Sequence, residues 1–531
     1  MRLLTLSLAS TLLLTVPALA APVDAATGQK LASDLTALIK SHLGEVEGFS
    51  LNGDITVTPD GDGYALSIPQ LRVKDDDGEA HTAAMTGRIT PLSDDEYRYS
   101  INMPSPLATM FNSTGIPILS ITAAASRLQG VYSMKLNNNM SADMMLSGLR
   151  LNDLAKSATL AEIGGIVYQA RNRITGDKLD MRSTMGMSNI VASIDGKEAL
   201  HIASVGGSLL NRGMNFAQFQ KLEQTIRENR HLLSDSKGAI PYFAAIMNDS
   251  GKVGGDVAAT FFVKDIRVQT PQAGKDQDGG ATWTLPLLRA DLTSTCNAQI
   301  LCDGGITYRH EGLTTTAHLS DMVAGLLPTT LDLGFMLEKM PQSEIADIAK
   351  KYADLLTTPS KNEPDEAALY KQAADELLKV TSAAGTTLRF NSVDVASPWI
   401  NNHTAGAFTV TPDAAFKVTG ALDTRINGLD ETITKLTALA SGGESGSEGG
   451  STEDKNSNKP MAQPDPMLQN ALIGLSMLQG FGQQVADANP SARTYKIEVG
   501  ADGTVKLNGT DLGAMLGMAG GMGGGMGGRH K

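Results

Sequence analysis

Aromatic side chains are scarce in this chain: Phe, Trp and Tyr together make up 5% of 531 residues. A carbohydrate site built on stacked rings would have little beyond Trp283 and Trp399 to draw on. Cysteine is nearly absent, with Cys296 and Cys302 alone, too few for a zinc site made of thiolates. Basic runs are missing and the net charge is −13, which argues against nucleic acid, because phosphate binding needs clustered Lys and Arg. After the first twenty residues no apolar run approaches the roughly 20 residues of a spanning helix. Stretches such as 324–327 and 471–478 are short and interrupted, so no integral membrane span is expected in the mature chain.

Catalytic signatures are missing as well. No Gly-x-Ser-x-Gly elbow, Ser-x-x-Lys set or phosphate-cradling Gly-x-x-x-x-Gly-Lys loop occurs. No catalytic residue and no cofactor is assigned. Two of the 57 acidic residues meeting in space would be enough for a hydrolase assembled from dispersed residues, the alternative from the enzyme class.

What is present begins with a leader. Arg2 is a positive start, Leu3 to Val16 an apolar stretch, and Pro17-Ala18-Leu19-Ala20 a break with an A-x-A site. Residues 1–20 are therefore expected to be a signal peptide cleaved near Ala20, placing the mature protein in the periplasm. An uncleaved anchor is the competing reading, weakened by the short run and Pro17. In an oxidising compartment, Cys296 and Cys302 read as a structural disulfide. A redox pair usually has two intervening residues rather than five, and zinc would need further ligands.

Apolar periodicity then sets the elements. Residues 27–47 read as an amphipathic helix with Thr27 as its cap and Leu31, Leu35, Leu38, Ile39 and Leu43 on one stripe. Ile55, Val57, Tyr64, Leu66 and Ile68 alternate around a turn at Pro59–Gly63, a hairpin signal. Alternation recurs at 131–151, 177–205, 257–268 and 282–292, and a hairpin is expected from Gly305 to Leu319. Helices are expected at 215–233, 241–247, 343–357, 364–384, 429–439 and 467–485. A strand, turn and strand at 408–420 repeats the Val57-Thr58-Pro59-Asp60 motif, and a last hairpin spans 495–509. The expected organisation is 21–270, a β-rich region with helices, and 281–440, a second such region. A disordered linker 441–466, a helix and hairpin at 467–516, and a disordered Gly/Met tail at 517–531 complete it. The fold class is α+β, dominated by a long antiparallel sheet, curved enough to form a groove, with helices packed on it.

Three constellations invite a metal reading. Met518, Met522, Met526 and His530 lie four apart, and thioethers suit copper(I); low-complexity drift explains the same spacing. Asp60–Gly63 and Asp75–Glu79 look like calcium loops but lack the ligand spacing of one, and turns favour Asp and Gly anyway. His310 and His318 both fall on the expected 305–319 hairpin, where solvated strand positions account for them. The expectation is that these residues form no metal site.

Two late segments carry a resemblance. Phe416-Lys-Val-Thr-Gly-Ala-Leu-Asp-Thr-Arg-Ile-Asn-Gly-Leu-Asp and Val499-Gly-Ala-Asp-Gly-Thr-Val-Lys-Leu-Asn-Gly-Thr-Asp-Leu resemble the C-terminal parts of YdgA-like and AsmA-related envelope proteins of Gram-negative bacteria. The resemblance implies an elongated antiparallel sheet with an apolar groove and transfers no catalytic residue. Relatives often keep an anchor where this chain has a cleavable leader. The function expected is a periplasmic, non-catalytic protein binding an apolar ligand such as lipid, or an envelope partner. A sheet with apolar residues at alternate positions must cover that face with helices, a partner or a ligand.

Overall fold

Leu31, Leu35 and Ile39 recur at helical spacing, and all three are buried in the computed structural model of the chain. The structure describes residues 23–43, 48–75, 78–93, 96–133, 138–229, 242, 246, 249–250, 252–270, 280–296, 301–357, 366–440 and 466–512. The leader, the 441–465 linker, the Gly/Met tail and most of 241–247 lie outside them. The chain divides into two units. The first comprises Met1–Gln220, Val253–Leu292 and Thr314–Ala317, and the second the remainder.

The first unit opens with α1 (Ala25–Leu43). Its cap is Asp24, whose carboxylate accepts the Thr27 N–H at 2.8 Å; Thr27 itself lies inside the first turn, which corrects the expected cap. Ten short strands follow: β1 (Phe49–Leu51), β2 (Thr56–Asp60), β3 (Gly63–Ile68), β4 (Leu71–Asp75), β5 (Gly78–Thr82), β6 (Met85–Pro91), β7 (Glu96–Asn102), β8 (Ala108–Asn112), β9 (Pro117–Thr122) and β10 (Ala125–Ser133). The β2–β3 turn is only Gly61-Asp62, so Pro59 sits in the strand. The strands pair antiparallel in two runs. One is β2-β3-β6-β7-β10 and the other β1-β4-β5-β8-β9. α1 packs across β2, and the core beneath it gathers Ile55, Val57, Tyr64, Leu66, Ile68 and Tyr99.

β11 (Asn138–Asp153) joins the two runs, pairing with β10 along its first half and with β9 through its last residues. β12 (Ala158–Thr175), β13 (Lys178–Ile194) and β14 (Lys197–Asn215) follow as long hairpins, and α2 (Phe216–Asn229) precedes β15 (Asp256–Gln269). The β13–β14 turn is Asp195-Gly196, both with positive φ, as a two-residue hairpin turn requires. β12 has no counterpart among the expected strands. β16 (Thr282–Cys296) lies beside β15, where Thr260 Oγ1 donates to Asp291 at 2.6 Å.

In the second unit β17 (Leu301–Glu311) is a single strand. The expected 305–319 hairpin does not form, because β18 (Thr314–Thr315) pairs instead with Trp283 and Thr284 of β16, in the first unit. Next come α3 (Asp321–Leu326) and β19 (Thr330–Pro341), then the helices α4 (Gln342–Thr357) and α5 (Glu366–Ala384). β20 (Thr387–Ala396), β21 (Asn401–Val410) and β22 (Val418–Asn427) continue the sheet in the order β17-β19-β20-β21-β22. The Val-Thr-Pro-Asp motif is not a structural repeat: at 57–60 it lies in a strand, whereas 411–413 form the turn after β21. α6 (Leu429–Ala440) and α7 (Pro466–Phe481) pack on each other, and β23 (Gln483–Val485) takes the residues expected to end the last helix. β24 (Ala492–Val499) pairs with β22 and β23, and β25 (Val505–Leu507) and β26 (Thr510–Asp511) follow beside it.

The fold is thus α+β and β-dominated, with its strands paired antiparallel. No helix among the described residues is long and apolar enough to cross a membrane.

Candidate apolar binding face

Residues directly opposite each other on antiparallel strands share a face, so the register of β11–β15 sorts their side chains into rows. One row runs Met144, Tyr168, Met185, Gly207, Phe261, and the next Leu146, Ile166, Met187, Val205, Val263. Met144 and Tyr168 pack against the core under α1, which makes this the inner face. Two residues further out, Leu149, Ile163, Ile190, Ile202 and Ile266 form another apolar row, and Leu151, Ala161, Ala192, Leu200 and Val268 a fourth.

These rows would lie on opposite faces in an uninterrupted pleat, because Leu146 and Leu149 are three apart. Between them a crease crosses the strands: Gly148, Asn189 and Asp265, at one level on alternate strands, all have φ near +50° to +57°. A left-handed residue breaks the simple alternation of a strand, and both Leu146 and Leu149 are buried. Register is unchanged on either side, since each strand shifts phase at the same level. The apolar rows therefore stay on one side.

The cover of this face thins from β11 outward. Ala142, Leu146 and Leu149 on β11 are buried, whereas Met185 on β13 and Phe261 on β15 keep 43% and 42% of their surface exposed. The four apolar rows contain no Asp, Glu, Lys or Arg. Their one titratable group, the Tyr168 phenol, is pushed up by burial, so it is neutral at ordinary pH. The opposite face is mixed. It carries Gln169, Thr184, Ser204 and Ser208, an Arg171–Asp143 pair at 2.8 Å, and the exposed apolar residues Met145 and Val167.

The second unit repeats the scheme. Ile306, Phe335, Phe390, Gly406, Leu422 and Ile497 form one row, and Leu337, Leu388, Phe408, Gly420 and Val499 the next. Phe335, Phe390 and Phe408 meet edge to face, with centroids 5.5 and 6.3 Å apart. The other face is charged, with Arg389 on Glu338 at 2.7 Å and Lys496 on Glu498 at 2.9 Å. Ile306 and Leu388 remain exposed on the apolar side.

The residues singled out from sequence fall elsewhere. Cys296 and Cys302 are joined at 2.06 Å, with Cys302 buried and its Sγ 3.0 Å from Gln342 Oε1. Asp60 and Asp62 both turn to Arg88, at 2.6 and 2.5 Å, which makes the Asp60–Gly63 turn an ion-paired one. In the second acidic turn Asp76 and Asp77 lie outside the described residues, and Glu79 contacts Arg72 and His81. His310 Nε2 lies 3.4 Å from the Pro328 carbonyl. Among the described residues, no group of three or more His, Cys, Asp or Glu is arranged to hold a metal. Met518, Met522, Met526 and His530 lie outside them. No protein family, curated protein or solved structure matches this chain.

Proposed function

We propose that this chain is an exported binding protein of the bacterial envelope, working in the periplasm, whose inner sheet face shelters an apolar ligand of lipid class. The observation that carries the proposal is the uncharged face of β12–β15, on which Met185 and Phe261 stand exposed. Monomeric proteins rarely leave a contiguous apolar surface beyond a few hundred Å² uncovered, and such patches mark interaction sites. The leader at residues 1–20 and the resemblance of the two C-terminal segments to YdgA-like and AsmA-related envelope proteins agree with this setting. An envelope protein laid on the same face is the competing occupant.

Native mass spectrometry of the protein purified from its own envelope tests the reading. Co-purifying lipid masses are expected. A clean protein mass, with no lipid retained, would count against it.

A further inference from the structure

Exposed aliphatic residues gather at one end of the long strands of the first unit. Ile116, in the β8–β9 turn, and Ile194, at the end of β13, keep 58% and 62% of their surface exposed. Leu154, just after β11, and Val268, near the end of β15, are exposed as well. Register sets all four on one rim. The Leu154 N–H donates to the Ile118 carbonyl at 2.9 Å, two residues from Ile116. Leu151, Ala161, Ala192, Leu200 and Val268 are level on successive strands, and Ile194 stands two residues beyond Ala192. The order β9-β11-β12-β13-β14-β15 makes this rim roughly 24 Å long at the usual strand spacing. Turn chemistry does not ask for these residues. Asp195 and Gly196 make the β13–β14 turn and Ser157 takes the positive φ after β11, so polar residues at 154 and 194 would close the turns equally well. At their other ends the same strands differ. β12 and β13 turn through exposed Thr175-Gly176-Asp177-Lys178, and the apolar Leu179 and Met214 there are buried.

We propose that this rim dips into the surface of a lipid bilayer, with Ile116, Leu154 and Ile194 as the inserted side chains. The inference goes beyond the reading above, since it concerns the strand ends and holds whatever lies on the inner face. Shape and charge choose the occupant. The aliphatic residues stand on separate turns, and a folded partner would need a matched hollow for each. A fluid bilayer receives separate apolar points without one. Charges of both signs are interspersed on the rim. Asp153 pairs with Lys156 at 3.8 Å, and Lys197 sits between Asp195 and Glu198 in sequence. No field of one sign is left to draw a nucleic acid or a strongly charged protein, so attachment falls to the apolar side chains. The long stems of Lys156 and Lys197 let their ammonium groups stay among headgroup phosphates while the neighbouring aliphatics go deeper.

Flotation of the full chain with vesicles tests this, using phosphatidylcholine alone and phosphatidylethanolamine mixed with phosphatidylglycerol. The natural protein should bind both alike. Ile116→Ser, Leu154→Ser and Ile194→Ser combined should weaken vesicle binding about tenfold or more. Met145→Ser combined with Val167→Ser, at mid-strand positions at least as exposed as Leu154, should leave it unchanged. All five positions already meet water, and circular dichroism checks that both variants fold. A second measurement places an environment-sensitive dye on Ile194→Cys or on Asp177→Cys, since Cys296 and Cys302 are joined and take no label. Vesicles should shift the emission to the blue at 194 and not at 177. No vesicle binding by the natural protein overturns the rim proposal and leaves lipid on the inner face to the mass measurement above. Binding confined to the anionic vesicles, or equal loss in the two variants, overturns it too. If the rim variant instead dissociates a dimer in solution, the partner is protein and the proposal fails.

Discussion

Arg493 grips Asp430 with two hydrogen bonds, Nε to Oδ1 at 2.8 Å and Nη2 to Oδ2 at 3.1 Å. The pair fastens the start of α6 to β24. Gln479 of α7 also donates to Asp430, at 2.8 Å, and Ser491 N–H donates to Glu431 at 2.8 Å. Both partners of the ion pair are mostly buried, so solvent screens them less than a surface pair.

Acid should loosen this corner first. The Arg493 guanidinium holds the Asp430 carboxyl below the usual carboxylate range, and the Ser491 donors do the same for Glu431. Groups whose folded values are depressed add stability that is complete above the ordinary carboxylate range and lost as pH falls through the depressed values. Urea midpoints measured from neutral pH down to about pH 2–3 should fall more steeply for the natural protein than for Asp430→Asn. Arg493→Ala should cost about 2 kcal/mol at neutral pH, because it leaves a charged acceptor without its donor. Parallel pH profiles for the natural protein and Asp430→Asn would contradict this.

Gly325 is one of the tightest packing points in the second unit. A Cβ there would stand 2.1 Å from the Trp399 ring, which lies flat on α3. Trp399 is pinned besides: its N–H donates to Gly325 O at 3.1 Å, and its carbonyl accepts Thr432 Oγ1 at 3.1 Å. Gly325→Ala should destabilise by about 1–3 kcal/mol through overpacking. Thermal unfolding of this variant against Gly474→Ala, which meets open space on α7, checks the point. Equal melting temperatures would refute it.

Asn189 tests the crease. Its φ is +51°, a conformation that Asn tolerates and β-branched residues resist. Asn189→Val should cost about 1–2 kcal/mol, while Asn189→Gly should stay within a few tenths. Chemical denaturation of both variants decides. A Val variant as stable as the Gly variant would mean that the left-handed conformation is not maintained.

Where alternation was unbroken, the fold was legible from residues alone. Leu31, Leu35 and Ile39 announced α1, and Ile55, Val57, Tyr64, Leu66 and Ile68 announced the β2–β3 hairpin; all eight are buried. A phase change hides a strand when the runs on either side of it are short; β11, β13, β14 and β15 change phase too, but their alternation is long enough to read. In β12 the inner residues run Ala161, Ile163, then Ile166, Tyr168, and in β20 Leu388, Phe390, then Val393, Val395, with a bulge between. A spacing of three in the middle of a strand mimics neither a helix nor a simple strand, so β12 and β20 were passed over. The same spacing was the signal available for the apolar face: two alternating runs three residues apart, repeated on consecutive segments.

The crease also limits how such a protein can change. β11 to β15 all break step at one level, so none of them can gain or lose a residue there alone. Removing one residue of β13 between Met187 and Ile190 would restore plain alternation in that strand and keep Ile190 and Ala192 inward, but one residue out of step with Ile163 and Ile202 on its neighbours. Changes of length are tolerated at the hairpin tips, where Gly176 and Gly196 already lie in open space, and the interior of the ribbon varies in concert or not at all.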